Sequence, residues 1–176
     1  MSTIQFRPVV QSDYPLLHRW FNTPHVQEFY SLGEWSTRAI CNKFSRHVDG
    51  ASDVDGFIIE YDNVSIGFIQ HYPYKNYTLS ELAIPANIIN EMAGVDLFIG
   101  QPEFLGKGLG TQVVHAFLSQ KIWPSYAHCL ADPDLRNERA IKLFKRCGFA
   151  KQCIVQSRDD VGRPTQLQIM IAHKNN

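Results

Sequence analysis

The segment "GVDLFIG QPEFLGKGLG TQVVHAFLSQ", residues 94–120, constrains the fold more than any other stretch of the chain. An apolar run suited to a buried strand leads through a loop with three glycines into a helical pattern. That pattern carries Leu109, Val113, Val114, Phe117 and Leu118 on one face. A helix N-terminus presents unpaired backbone N–H groups and the positive end of its dipole. Glycines just ahead of it let those amides approach an anion, so strand, glycine loop and helix together can cradle a pyrophosphate. A purely steric turn is the other reading, and the familiar nucleotide patterns do not decide between them. A P-loop needs four residues between its first glycine and Gly-Lys, then Ser or Thr. Here Gly100 lies one position too far from Gly106-Lys107, and Gly108 stands where the hydroxyl belongs. The dinucleotide pattern GxGxxG is also missed, because this loop reads GxGxG.

The rest of the chain supplies the frame. "TIQFRPVV" reads as a first strand, and Ser12 or Asp13 is placed to cap a helix carrying Leu16, Leu17, Trp20 and Phe21. "TPHVQEFY" reads as a short second helix and residues 36–48 as a third. "GFIIEYDNVSIGFIQHY" is a hairpin turning at Asp62-Asn63, both residues that tolerate turn conformations. An irregular stretch rich in Tyr, Asn and Pro follows. Past residue 120, "AHCLADP" is a short strand that Pro133 stops. Asn137 then caps the helix "ERAIKLFKRCGF", with Gly148 at its end. "FAKQCIVQS" and "TQLQIMIAH" close the chain as two strands. The pattern predicts an α/β (α+β) fold, a mixed sheet with helices on both faces. At 176 residues without repeats or linkers, the expectation is one domain, 1–176.

Charge and cysteine usage narrow the function classes. Seventeen basic residues balance seventeen acidic ones, so no basic field argues for nucleic acid or an anionic membrane. Cys41, Cys129, Cys147 and Cys153 form no CxxC pair, and the seven histidines include no HExxH, so no metal is expected. Cysteines this sparse read as reduced thiols in a cytoplasmic protein. The N-terminal "MSTIQFRPVVQSD" has no apolar signal core, and no run approaches a membrane span.

The glycine loop together with "ADPDLRNERAIKLFKRCGF" resembles the GNAT superfamily of acetyl-CoA-dependent N-acetyltransferases. In that family a loop of form Q/R-x-x-G-x-G/A holds the coenzyme A pyrophosphate on its amides. Gly108 and Gly110 occupy its glycine positions, and Leu105 stands at the Q/R position. The later Asn-x-x-Ala…Gly-Phe signature is met by Asn137, Ala140, Gly148 and Phe149. "LLHRWFNTPHVQEFY", "SIGFIQHYPY", "GVDLFIG" and "LGKGLGT" follow the order of the aminoglycoside 6'-N-acetyltransferase branch, which also carries "LGKGLG" and the Asp-Pro ahead of the Asn-capped helix. The resemblance spans nearly the whole chain and is weakest at residues 75–94. It implies a GNAT fold: a central, mostly antiparallel twisted sheet flanked by helices. It also implies acetyl-CoA as co-substrate, held by Phe98, Leu105, Gly106, Lys107, Gly108, Leu109, Gly110, Thr111, Asn137 and Phe144.

Acetyl transfer from a thioester needs a deprotonated amine, donors for the tetrahedral oxyanion and a tolerated thiolate. Asp96 stands out in an otherwise apolar strand, where burial makes a carboxylate a better base and its charge attracts an ammonium. A partly exposed strand position, or a pairing with arginine, would account for it as well. The resemblance favours the base, since the branch's catalytic aspartate matches Asp96. It also implies backbone N–H groups near Phe98 as the oxyanion donors. The family's tyrosine near the coenzyme sulfur is Phe144 here, which cannot donate a proton; a thiol's reference pKa of roughly 8.5 still permits unassisted departure. Between Asn76 and Gly106 there is no Lys, Arg or His, while Glu81, Glu91, Asp96 and Glu103 are present. With Asp132, where the branch's Asp-Pro carboxylate contacts aminoglycoside, this suits a small-molecule amine such as an aminosugar or polyamine. Glu81, Glu91, Asp96 and Asp132 are the expected substrate contacts. The expected activity is direct transfer to a primary amine, such as an aminoglycoside 6'-amine, by a monomer or homodimer. A siderophore-precursor acyltransferase and a catalytically weak coenzyme A-binding regulatory module are the alternatives.

Overall fold

The computed structural model describes residues 3–77, 82, 84–159 and 161–174. Strand β1, Ile4–Pro8, leads into helix α1, Tyr14–Phe21, then a short α2, Pro24–Val26, which continues as a π turn over Gln27–Ser31. Helix α3 covers Thr37–Val48, and Ser36 caps it by accepting a hydrogen bond from Ala39 N at 3.2 Å. Strands β2, Asp55–Tyr61, and β3, Val64–Pro73, form the expected hairpin. Its turn residues Asp62 and Asn63 both lie in the left-handed region, at φ 49° and 64°, as a tight turn between twisted strands requires.

Within the irregular stretch lies a helix that periodicity misses, α4, Ala86–Asn90, five residues entered from Pro85. Strand β4 covers Met92–Ile99, and helix α5, Leu109–Phe117, runs on into a π turn over Leu118–Ile122. Strand β5, His128–Ala131, helix α6, Glu138–Arg146, and strands β6, Ala150–Arg158, and β7, Pro164–His173, complete the chain.

The strands form one seven-stranded sheet in the order β1-β2-β3-β4-β5-β7-β6. It is mixed: β4 runs parallel to β5 with Ala93 opposite Cys129, while the β1–β2, β5–β7 and β6–β7 pairs are antiparallel. This is the mostly antiparallel, helix-flanked sheet the sequence predicts.

The chain divides into two compact units, one running through Gln70 and adding Asp96–Leu109, the other comprising His71–Val95 and the chain from Gly110 onward. The first is built on an aromatic core in which Leu17, Trp20, Phe21, Ile40, Phe44, Phe68 and Phe98 are buried. Amphipathic α1 and α3 each place their apolar stripe against it. The second packs Tyr74, Met92, Leu130, Val155, Ile169 and Ile171 together.

Candidate active site

The loop after β4 starts with an abrupt end to strand pairing: Gly100 N and Gln101 N both donate to Ile66 O, at 2.8 and 3.1 Å. Gly100 lies flat against the Trp20 indole, so any Cβ there would collide with the ring. A 3-10 turn over Pro102–Phe104 leads to an exposed Leu105. Gly106 and Gly108 follow with φ of 73° and 74°, a conformation that costs an L-residue about 1 kcal/mol or more. Lys107, between them, is exposed, with Nζ 5.7 Å from the Phe104 ring centre. Leu109 is buried and anchors the start of α5.

The third glycine does something different. Gly110 is already helical, and a Cβ there would sit 2.5 Å from Leu143 Cδ1 on α6. The loop conformation thus rests on Gly106 and Gly108, and Gly110 serves the packing of α5 on α6. Thr111, in the first turn of α5, has its carbonyl 3.7 Å from Cys147 Sγ. Burial pushes the Cys147 thiol up to about 11, which makes it an inert packing group rather than a nucleophile.

Asp96 lies on β4 between buried Val95 and half-buried Leu97, and is itself half-buried. Gln70 Nε2 on β3 donates to its Oδ2 at 2.8 Å. Two residues on, Phe98 is buried in the aromatic core, with its ring centre 4.7 Å from Tyr30, 5.6 Å from Phe21 and 5.8 Å from Phe68. Side chains two apart on a strand share a face, so Asp96 is presented beside a rigid aromatic wall. The Phe98 carbonyl comes close to Gly67, where a Cβ would collide with it. That missing side chain lets β3 press against the β4 backbone at Phe98. Gln70 escapes a reading by motif. Its only sequence signal is a polar side chain in the apolar run "SIGFIQHY", the same signal that marks Asp96.

The remaining expected residues that are described lie in the second unit. Asn137 caps α6, its Oδ1 accepting from Ala140 N at 3.1 Å. Phe144 is buried against Phe149 at 5.0 Å between ring centres. Asp132 is half-buried just past β5. Glu91 is exposed, and its backbone carbonyl accepts from Ala127 N and His128 N at the start of the β4–β5 pairing. Glu81 lies outside the described residues.

The carboxylate that organises the turn after β5 is Asp134, not Asp132. Asp134 takes a fork of bonds from Arg136, at 2.9 and 2.7 Å, and another from the Thr165 hydroxyl at 2.6 Å. Arg136 chiefly, with Thr165 adding to it, holds the Asp134 carboxyl well below the usual range. Among the described residues no cluster of three or more His, Cys, Asp or Glu is arranged to hold a metal. None of their helices is long and apolar enough to cross a membrane.

A family model described as the acetyltransferase (GNAT) domain matches residues 9–157. The chain belongs to the GNAT acetyltransferase family. It is an acetyl-CoA-dependent N-acetyltransferase. Among its GNAT relatives is the aminoglycoside N(6')-acetyltransferase type 1 of Klebsiella pneumoniae, 24% identical over 164 residues, covering 89% of this chain and 79% of the relative. A kanamycin resistance protein of Rhizobium radiobacter is 34% identical over 67 residues, 38% of this chain and 62% of that one. Among solved GNAT structures, aminoglycoside acetyltransferase AAC(6')-Ib with coenzyme A and kanamycin superposes with a TM-score of 0.80. It is 22% identical, with 98% of this chain and 95% of that one covered. Spermidine N-acetyltransferase from Vibrio cholerae with CoA and spermine gives 0.75 at 17% identity, over 97% and 95% of the two chains. At these identities the structural likeness is one of fold.

Proposed function

We propose that this GNAT enzyme transfers acetyl directly from acetyl-CoA to a primary amine of an aminosugar or polyamine, the 6'-amine of an aminoglycoside being the leading acceptor. The whole chain acts as one catalytic domain. The observation that carries this reading is Asp96, a half-buried carboxylate held by Gln70 on the strand that leads into the glycine loop. Asp96 takes a proton from the substrate ammonium, freeing the nitrogen lone pair. The amine attacks the thioester carbonyl, and backbone N–H groups near Phe98 hold the oxyanion. The attacking nitrogen gives its second proton to water, the C–S bond breaks as the amide forms, and the thiolate takes a proton back from that water, since Phe144 has none to give. Loop residues Leu105–Thr111 with the start of α5 receive the pyrophosphate, Gly106 and Gly108 adopting the left-handed loop backbone without a side-chain penalty. Asn137 and Phe144 border the coenzyme, and Asp132, Glu91 and Glu81 attract the cationic acceptor. The 6'-acetyltransferase relatives support the aminoglycoside, and the spermidine acetyltransferase likeness keeps polyamines in the same class.

The test is release of free thiol from acetyl-CoA across a panel of kanamycin, spermidine and an N6-hydroxylysine-type amine. Turnover with kanamycin or spermidine is the expected result. Turnover confined to the hydroxylamine would move the enzyme to siderophore-precursor chemistry. Coenzyme binding without any turnover would favour the regulatory module that the buried Phe144 fits. Asp96→Ala should lower kcat by about 10²–10⁴-fold with coenzyme affinity unchanged. Unchanged turnover in that variant would remove Asp96 as the base.

A further inference from the structure

We infer that Gln70 is the positioning residue for the Asp96 carboxylate, setting both its orientation and its readiness to take the substrate proton. The inference rests on the reading of Asp96 as the base. Three observations support it. Gln70 Nε2 donates to Asp96 Oδ2 at 2.8 Å, and of the two polar atoms in a glutamine amide only the nitrogen can give a hydrogen to a carboxylate. Phe68 lies two residues before Gln70 on β3, and Phe98 two residues after Asp96 on β4. The two rings pack at 5.8 Å, so the polar pair adjoins an aromatic pair on the same face of neighbouring strands. That aromatic pair is immobilised in turn: Phe68 is fully buried and meets Phe44 of α3 edge-on at 5.3 Å. The Gln70–Asp96 bond is therefore mounted on rigid packing, as a catalytic carboxylate needs if its orientation is to be set before substrate arrives.

The bond also has a defined electrostatic sense. A donor held against the ionised carboxylate favours that form, and once Asp96 takes the proton the same donor faces a neutral acid and the favour is lost. Gln70 thus limits how basic Asp96 becomes and keeps it ionised when the ammonium arrives. From the elements packed around this corner, His47 and Lys43 of α3 and Asp55 of β2 also bear on the local charge. Burial lowers the His47 pKa, opposed by the bond between its Nδ1 and the Lys43 carbonyl and by a hydrogen bond with the Gln70 side chain, so Gln70 adjoins His47 as well as Asp96. Gln70 is a neutral donor that the neighbouring strand holds against the base.

The test uses the full chain with two variants. Gln70→Met keeps length and volume but cannot donate; Gln70→Glu keeps the shape but replaces the donor with a second carboxylate. Carbon-13 NMR titration of the Asp96 carboxyl reads the effect without any substrate. The Met variant should titrate about one pH unit higher than wild type, and the Glu variant higher still. In turnover with the best acceptor of the panel, the acidic limb of the kcat/KM profile should move by the same amount. At neutral pH kcat should fall about ten-fold while the KM for acetyl-CoA stays constant. If Asp96 titrates in Gln70→Met and Gln70→Glu as in wild type, the inference is overturned even where Asp96→Ala is inactive. If Asp96→Ala turns over normally, the base assignment fails instead, and the two failures are told apart.

Discussion

Gly106 and Gly108 repeat one constraint two positions apart: both sit at positive φ with open space where a Cβ would go. The difficulty with any other residue there is backbone conformation, not crowding. Gly108→Ala should cost about 1 kcal/mol in denaturant unfolding and weaken acetyl-CoA binding measured by calorimetry. Asp134 is the strongest electrostatic residue of the turn after β5. Its folded pKa is depressed, so its stabilisation is fully present above the unfolded value of about 3.9 and is lost as pH falls below it. Asp134→Ala should lower stability by about 2 kcal/mol at pH 7, and the deficit should shrink as the unfolding measurement is taken down to about pH 3. The cysteines offer a sharper contrast. Cys153 is exposed, whereas Cys129 and Cys147 are buried and the Cys147 thiol is pushed up to about 11. A thiol reagent at pH 8 should therefore label Cys153 in the folded enzyme and leave Cys147 unmodified until it unfolds, as peptide mass mapping would read.

Helix ends were the most legible elements, because their chemistry is local. Asn137 before α6 accepts the backbone bond its position promises, from Ala140 N, while Ser36, read as the first residue of the third helix, is instead its cap and accepts from Ala39 N. Gly148, at φ 87°, ends α6 while Phe149 N reaches back to Phe144 O at 3.1 Å. Asn137→Ala should cost about 1 kcal/mol of stability in thermal or denaturant unfolding. The start of α1 was less legible. Asp13 stands at its cap, yet its carboxylate bonds Val10 N and the Arg7 guanidinium at 2.8–2.9 Å instead of the helix. An arginine on β1, next to Asp13 only in three dimensions, outcompetes the local cap. Helix α4 was missed because five residues after a proline are too few to show a period. Gly110 reads as part of the loop in one dimension and belongs to a helix–helix contact in three. Gly110→Val should disturb α5–α6 packing against Leu143 and lower the melting temperature, where a purely loop-borne role would change only coenzyme affinity.

For the molecule as a whole, seventeen basic residues balance seventeen acidic ones. Acetyl-CoA binding to the folded state alone should raise stability by about 2.7 kcal/mol at one hundred times its dissociation constant, read as a shift in melting temperature. The strand–loop–helix segment, the capped helix and the mixed sheet were legible because each depends on neighbours within a few residues: backbone donors at a helix start, glycines that permit left-handed turns, and alternation along a strand. What only the tertiary structure decided is which distant side chains meet. Gln70 lies 26 residues from Asp96, and no periodicity or spacing joins them. Leu143 dictates the absence of a side chain at Gly110 from another helix, and Trp20 does the same at Gly100 from α1. Local geometry follows from covalent and hydrogen-bonding rules that act over a turn or two of chain. Pair contacts between remote segments follow from how whole faces pack, and only the folded chain contains that information.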